Sequence, residues 1–402
     1  MKHLKKYDVQ KQHYIAIADV LRVAAICLIA WYHFWLLSWH DPGFYVYGIY
    51  IDLWRLISSG YMMVDVILVL SGFLIALPYA EAHRNGGVGQ SAIVFYQKRF
   101  WRILPSYLFV IAVTVLFFIR PNNLYASVEV GFKDIVAHLT FTHNLFPETY
   151  YQSPLPGVLW TLAVEVQFYI LFPLIACGYR KRPVWVCFCL LITAVCFRGY
   201  VYRMEDTTFW VNQLPCMLDL YACGMLAAWA YVYFSAKDIK EKTRCGISIL
   251  GLLCFIGMLC VLCMQDSTDY ETVRHGQLAW RLPLGILTGG VLIFGGLAPC
   301  RIQKMMGNHI TKFFATISYN FYIWHQFIAE RLKAWRIPNY VSEMPEQVHE
   351  QPWQMQYMIL CFLMGITVAS IVTFLVERPI ASIYRRNEGN LDIRGQEKCV
   401  SG

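Results

Sequence analysis

Apolar runs close to the roughly 20 residues a helix needs to cross a bilayer recur along the whole chain, at about 15–37, 57–79, 103–119, 158–177, 184–200, 214–234, 246–264, 282–298, 312–331 and 354–376. Hydrocarbon offers backbone amides no hydrogen-bond partner, so runs of this length enter it as helices. The expected fold is therefore all-α, a polytopic membrane protein of about ten transmembrane helices. Only 15% of the 402 residues are charged, where a soluble domain carries about 25%. No Pro/Gly/Ser-rich linker or internal repeat divides the chain. That predicts one membrane domain over 15–380, between an N-terminal segment, 1–14, and a C-terminal tail, 381–402. The first run is long and lacks a small-residue cleavage site, so it is expected to stay as a span rather than leave as a signal peptide.

The formal net charge is +8. The basic residues fall in short loops between apolar runs, where membrane topology accounts for them, and a nucleic-acid partner is not expected. With the N-terminus inside, every inner segment holds at least three lysines or arginines, for example Lys2, Lys5, Lys6 and Lys11, then Lys98, Arg99 and Arg102, then Arg180, Lys181 and Arg182. The positive-inside rule then places both termini in the cytoplasm. The 14 cysteines are scattered, many of them inside apolar runs (Cys187, Cys189, Cys196, Cys223), which is no disulfide framework. Cys260 and Cys263 form a CxxC, but within an apolar run they read as small hydrophobes, and no metal site is expected.

A charge at the centre of a span costs about 2.5–3.5 kcal/mol, so such residues face a protein interior or a wet cavity. Here they are Arg22, His33, Asp65, Glu165, Asp219 and His325. Arg22 and His33 are separated by close to three helical turns, which puts them on one face about 16 Å apart. Asp19, one turn before Arg22, can pair with it, so an Arg–Asp lock plus a histidine in an interfacial aromatic belt remains open. In "FYQKRFWRILPSY", Arg99 and Arg102 lie one turn apart beside Lys98. They could grip a phosphate through paired donors or simply anchor the inner face. Glu165 lies about 10 Å into its span, with Trp160 before it and Tyr169 one turn later. A carboxylate that deep needs a partner or a proton, which makes it a candidate for acid–base work or an interhelical tie.

These stretches together resemble the acyltransferase 3 family of integral membrane O-acyltransferases. "DVLRVAAICLIAWYH" is similar to that family's first-span pattern, "VDVILVLSGFLI" to its second, "KRFWRILPSY" to its RxxR element and "LWTLAVEVQFY" to its fourth-span element. "LDLYACGMLAA", "ISYNFYIWH" and "VERPI" follow in the family's order, so the resemblance runs from about Asp19 to Pro379. It implies ten spans, cytoplasmic termini and transfer of an acyl group, acetyl or succinyl, from acyl-CoA to a hydroxyl of a carbohydrate or envelope glycan in the bacterial inner membrane. It points to Arg22, His33, Arg99, Arg102 and Glu165 as functional residues. Some members carry a C-terminal SGNH-type domain. This chain ends soon after its last run, so it is expected to act alone or with a separate partner.

A hydroxyl attacking a thioester needs a base, and histidine serves at neutral pH. The expected arrangement has His33 as base, Glu165 holding its imidazole, Arg99 and Arg102 on the donor's phosphates, and Arg22 between them. Asp65, Trp160, Tyr169, Asp219, Ser318 and His325 are the further cavity candidates, and a structural role stays open for them. Acyl-CoA would be a co-substrate, with no permanently bound cofactor. The bilayer is the surrounding partner, and self-association is left open. Two other classes remain: a transporter, although no matched pair of Gly/Pro-interrupted spans is evident, and a haem protein with His33 and His325 as axial ligands.

Overall fold

A computed structural model describes residues 14–382 except 88, 205–206 and 266–269. The segment before Tyr14, with Lys2, Lys5, Lys6 and Lys11, and the tail beyond Ser382 lie outside the described residues. Among the described residues the fold is a helical bundle with one small antiparallel hairpin, β1 (Phe44–Val46) and β2 (Ile49–Ile51), in which Phe44 faces Ile51. The long helices, in chain order with two shorter ones, are α1 (Ala16–Ser38), α2 (Met63–Asn85), α3 (Ala92–Thr114), α4 (Val128–Leu139), α5 (Pro147–Tyr151), α6 (Trp160–Tyr179) and α7 (Pro183–Val201). They continue with α8 (Leu218–Ser235), α9 (Glu241–Met264), α10 (Tyr270–Gly296), α11 (His309–Ala334) and α12 (Trp353–Val372).

Among the described residues, nine helical stretches are long and apolar enough to cross a membrane. The exception among the ten expected is α11. At 26 residues it is long enough, but it is too polar, carrying His325, Glu330, Arg331 and Lys333 in its second half. It packs against α1 and α12, with Ile317, Asn320, Phe321, Tyr322, Trp324 and His325 buried. A helix surrounded by protein need not satisfy the hydropathy that lipid contact demands.

The third run was expected to begin near residue 103. Instead α3 starts at Ala92, where the Ser91 side chain caps it by accepting from the Val94 N–H at 3.4 Å. Lys98, Arg99 and Arg102 therefore ride inside the helix, not in a loop before it. Helices α2 and α8 approach through paired glycines. A Cβ on Gly72 would stand 2.5 Å from the Tyr221 carbonyl oxygen, and one on Gly224 would overlap the Val69 carbonyl. Small residues of this kind let membrane helices close to backbone contact.

Candidate active site

Among the described residues, the expected site residues gather mainly at two places in the bundle. The first, the arginine end, is built by the N-terminal turns of α1, the middle of α2 and facing parts of α3 and α6. Glu165 and Tyr169, one turn apart on α6, face together, and the Tyr169 hydroxyl donates to the Glu165 carboxylate. Ser71, from α2, donates to the same oxygen at 2.8 Å. The Arg99 guanidinium lies over the Tyr169 ring at 5.4 Å and the Phe95 ring at 5.6 Å, a cation–π arrangement. Arg22 pairs with Asp19 at 3.2 Å and lies within electrostatic range of Arg102 and Glu165. Arg102 in turn is near Glu377, which accepts from Asn320 at 2.6 Å. A cavity of about 420 Å³ opens beside Arg99 and Tyr169, with Gln97, Trp101, Phe141 and Val166 in its wall.

The second place, the histidine end, lies three turns further along α1. His33 Nδ1 and His325 Nε2 are 2.9 Å apart, and His325 Nδ1 is 2.6 Å from the Tyr322 carbonyl. His33 lines another cavity of about 420 Å³, which Asp65, Trp160, Tyr150, Tyr151, Asn212 and Arg281 also line. Arg281 Nε stands 3.3 Å from Asp65 Oδ2, and its other nitrogens donate to the Val211 carbonyl and, at 3.2 Å, to Asn212. Asn212 donates to the Tyr150 hydroxyl at 2.9 Å. Aromatic faces with fixed amide and charged groups between them are the surfaces on which a polyhydroxylated ligand is held, because the rings cover C–H faces while the polar groups meet hydroxyls.

The structure thus brings Arg22, Arg99, Arg102, Glu165 and Tyr169 together, and brings His33 together with Asp65 and Trp160. It does not join His33 to Glu165. Each has other partners, because Glu165 lies among the arginines that balance its charge. Three cavity candidates line neither of these two cavities. Asp219, wholly buried, is held by Arg198 at 2.6 Å. Ser318 donates to the Ala315 carbonyl and borders a small apolar void of about 30 Å³. His325 sits behind His33 with no exposed surface. The direct His33–His325 bond also fills the space an iron ligated by both would need. Among the described residues no cluster of three or more His, Cys, Asp or Glu could hold a metal.

Sequence reasoning missed Ser71, Arg198 and Arg281. Ser71 lies in the quoted second-span signature, but a serine in an apolar helix carries no signal by itself, since it can satisfy its own hydroxyl on the helix backbone. Arg198 and Arg281 stand at the ends of apolar runs, where an arginine reads as an ordinary interfacial charge. The signal that could have found them is the pair of otherwise unmatched aspartates, Asp65 and Asp219.

Fold and site define a multi-span membrane protein that holds an arginine cluster and a histidine pair among its helices. The chain belongs to the acyltransferase 3 family: a family model described as an acyltransferase domain matches residues 15–376. It is similar to YrhL of Bacillus subtilis (strain 168), provisionally named a peptidoglycan O-acetyltransferase, with 24% identity over 93% of this chain and 56% of that protein. It is similar to the O-acetyltransferase OatA of Staphylococcus aureus (strain NCTC 8325 / PS 47), with 24% identity over 67% of this chain and 46% of the relative. The peptidoglycan O-acetyltransferase OatA of Listeria monocytogenes serovar 1/2a (strain ATCC BAA-679 / EGD-e) shows 25% identity over 81% and 50%. The chain spans about half the length of these relatives. No solved structure matches it.

Proposed function

We propose that this protein is a membrane O-acetyltransferase that takes an acetyl group from acetyl-CoA at the arginine end, on the cytoplasmic side, and delivers it to a hydroxyl of an envelope glycan at the histidine end. The observation that carries this reading is His33 facing a polar, aromatic-walled cavity in a chain of the acyltransferase 3 family. Peptidoglycan is the acceptor class favoured by the relatives' names.

The residues divide the work by chemistry. Arg99 and Arg102 offer forked donors to the donor's phosphates, and Arg22, fixed by Asp19, extends that positive surface along α1. Glu165, with Ser71 and Tyr169 on one of its oxygens, sets the local charge beside them. At the far end the acceptor hydroxyl attacks the thioester carbonyl carbon while His33 takes its proton. The carbon–sulfur bond breaks, and the thiolate leaves with that proton as free CoA.

Mass spectrometry of envelope glycans tests the reading in cells with wild-type protein, with His33→Ala, or with none, at matched membrane levels. Acetyl ester present only with the wild type is the expected result, with loss of about 100-fold or more in His33→Ala. An increment that survives His33→Ala removes the base assignment. Glycans that never change, together with no CoA release by purified protein, remove the acetyl-transfer reading itself.

A further inference from the structure

The contacts of the two histidines settle where their protons are. A carbonyl oxygen can only accept, so His325 Nδ1, 2.6 Å from the Tyr322 carbonyl, must carry a hydrogen. A neutral imidazole has one such hydrogen, which leaves His325 Nε2 as a lone pair. That lone pair faces His33 Nδ1 at 2.9 Å. Two facing lone pairs would repel, so His33 Nδ1 carries its ring's hydrogen and donates it. The remaining nitrogen of His33, Nε2, is then unprotonated. His33 lines the cavity and His325 does not.

We infer that His325 is a positioning residue that holds His33 in the Nδ1–H tautomer, so that the Nε2 lone pair is the one offered to the acceptor hydroxyl. This rests on the reading of His33 as base. The relay needs no carboxylate: the Tyr322 carbonyl orients His325, and His325 orients His33, as second-layer groups orient catalytic and metal-binding imidazoles elsewhere. The Phe34 and Phe321 rings, with centroids 6.1 and 6.2 Å from that of His325, keep the His325 ring from turning. When the acceptor's proton arrives on His33 Nε2, the hydrogen on Nδ1 stays in place. The new positive charge is spread onto two hydrogen bonds already aligned for it. The proton then leaves Nε2 for the departing sulfur, and the pair returns to its starting tautomers.

The test uses the full-length chain in lipid nanodiscs with ¹⁵N-labelled histidine, and cells expressing the same variants. The nitrogen spectrum of the wild type should show His33 protonated at Nδ1 and bare at Nε2. His325→Phe, which keeps a ring in the same packing but removes the acceptor, should mix the two His33 tautomers and lower glycan acetyl ester about 10–100-fold. His325→Gln restores an acceptor oxygen near the old Nε2 position and should recover activity to within about tenfold of wild type. Acetyl-CoA binding should be the same in all variants, which a general loss of structure would not allow. Wild-type His33 protonated at Nε2 overturns the inference, as does His325→Phe with full activity while His33→Ala is inactive. An active His33→Ala overturns the base reading instead, and the tautomer of His33 is still decided by the spectrum.

Discussion

A carboxylate among apolar helices is tolerable when a fixed cation answers it, and Asp219 with Arg198 shows what that requires. Both side chains are buried, and the 2.6 Å contact is supported by Arg198 donating to the Cys216 carbonyl at 3.3 Å. Taking both charges out of water costs several kcal/mol per ion. Removing one therefore harms more than removing both, because the survivor keeps the whole penalty. Arg198→Met should destabilise the protein by about 3–5 kcal/mol, while Arg198→Met combined with Asp219→Leu should recover most of that loss. Thermal unfolding in detergent measures both, and equal losses would mean the pair is not the relevant unit. The same residues mark the limit of sequence reading at this scale. Asp65 and Asp219 stood out because charge is rare inside a span. Arg198 and Arg281 did not, because an arginine at the end of a run looks like a membrane anchor until its direction is known. His33 and Glu165 were likewise visible singly, whereas their partners depended on how α1, α2, α6 and α11 cross.

At the scale of elements, hydropathy located helices wherever lipid or apolar neighbours face them. It misplaced the start of α3 because a basic first half can be helical without being apolar. The segment between α3 and α6 is different again, since α4 and α5 are short and held by polar side chains. Asp134 on α4 accepts from Tyr125 and Ser153, each at 2.7 Å. His138, one turn on, stacks on His143 with centroids 3.9 Å apart and rings within 8° of parallel. Burial first, and then the His138 charge, push the His143 pKa down to about 3. An unfolded histidine titrates near 6.5. Between those values the unfolded chain binds the extra proton, so stability falls as pH falls through that window. At pH 5 the loss is about 2 kcal/mol relative to pH 7. Burial raises the Asp134 carboxyl, but its bonds and charge contact with His138, with those from Tyr125 and Ser153, hold it below its ordinary value. It stays ionised at pH 5 and adds nothing there. Hydrogen exchange across 128–151, corrected for intrinsic rates, should accelerate between pH 7 and 5. In His143→Phe, which keeps the stack, that change should vanish. Because Tyr150 and Tyr151 of α5 line the His33 cavity, loosening this segment would also open that cavity, the proposed acceptor side of the site.

For the whole molecule, the decisive quantity is which way the polar interior runs across the bilayer. Arg22 and His33 stand on one helix about 16 Å apart, so the two ends of the site approach opposite faces of the membrane. Acyl-CoA is charged and is made in the cytoplasm, so the proposed route works only if the arginine end opens there. The loops argue the same orientation: Arg180, Lys181 and Arg182 follow α6, while Lys237, Lys240 and Lys242 lie between α8 and α9. The opposite face would then carry the β1–β2 hairpin, whose Tyr47 is fully exposed and has a positive φ of 48° at the turn. In intact cells, Tyr47→Cys should gain a membrane-impermeant maleimide label above the parent protein's background. Lys237→Cys should gain it only after the membrane is permeabilised. The reverse pattern would put the histidine end in the cytoplasm. Donor and acceptor would then have to exchange ends, and a base at His33 would face the compartment that holds the donor rather than the glycan.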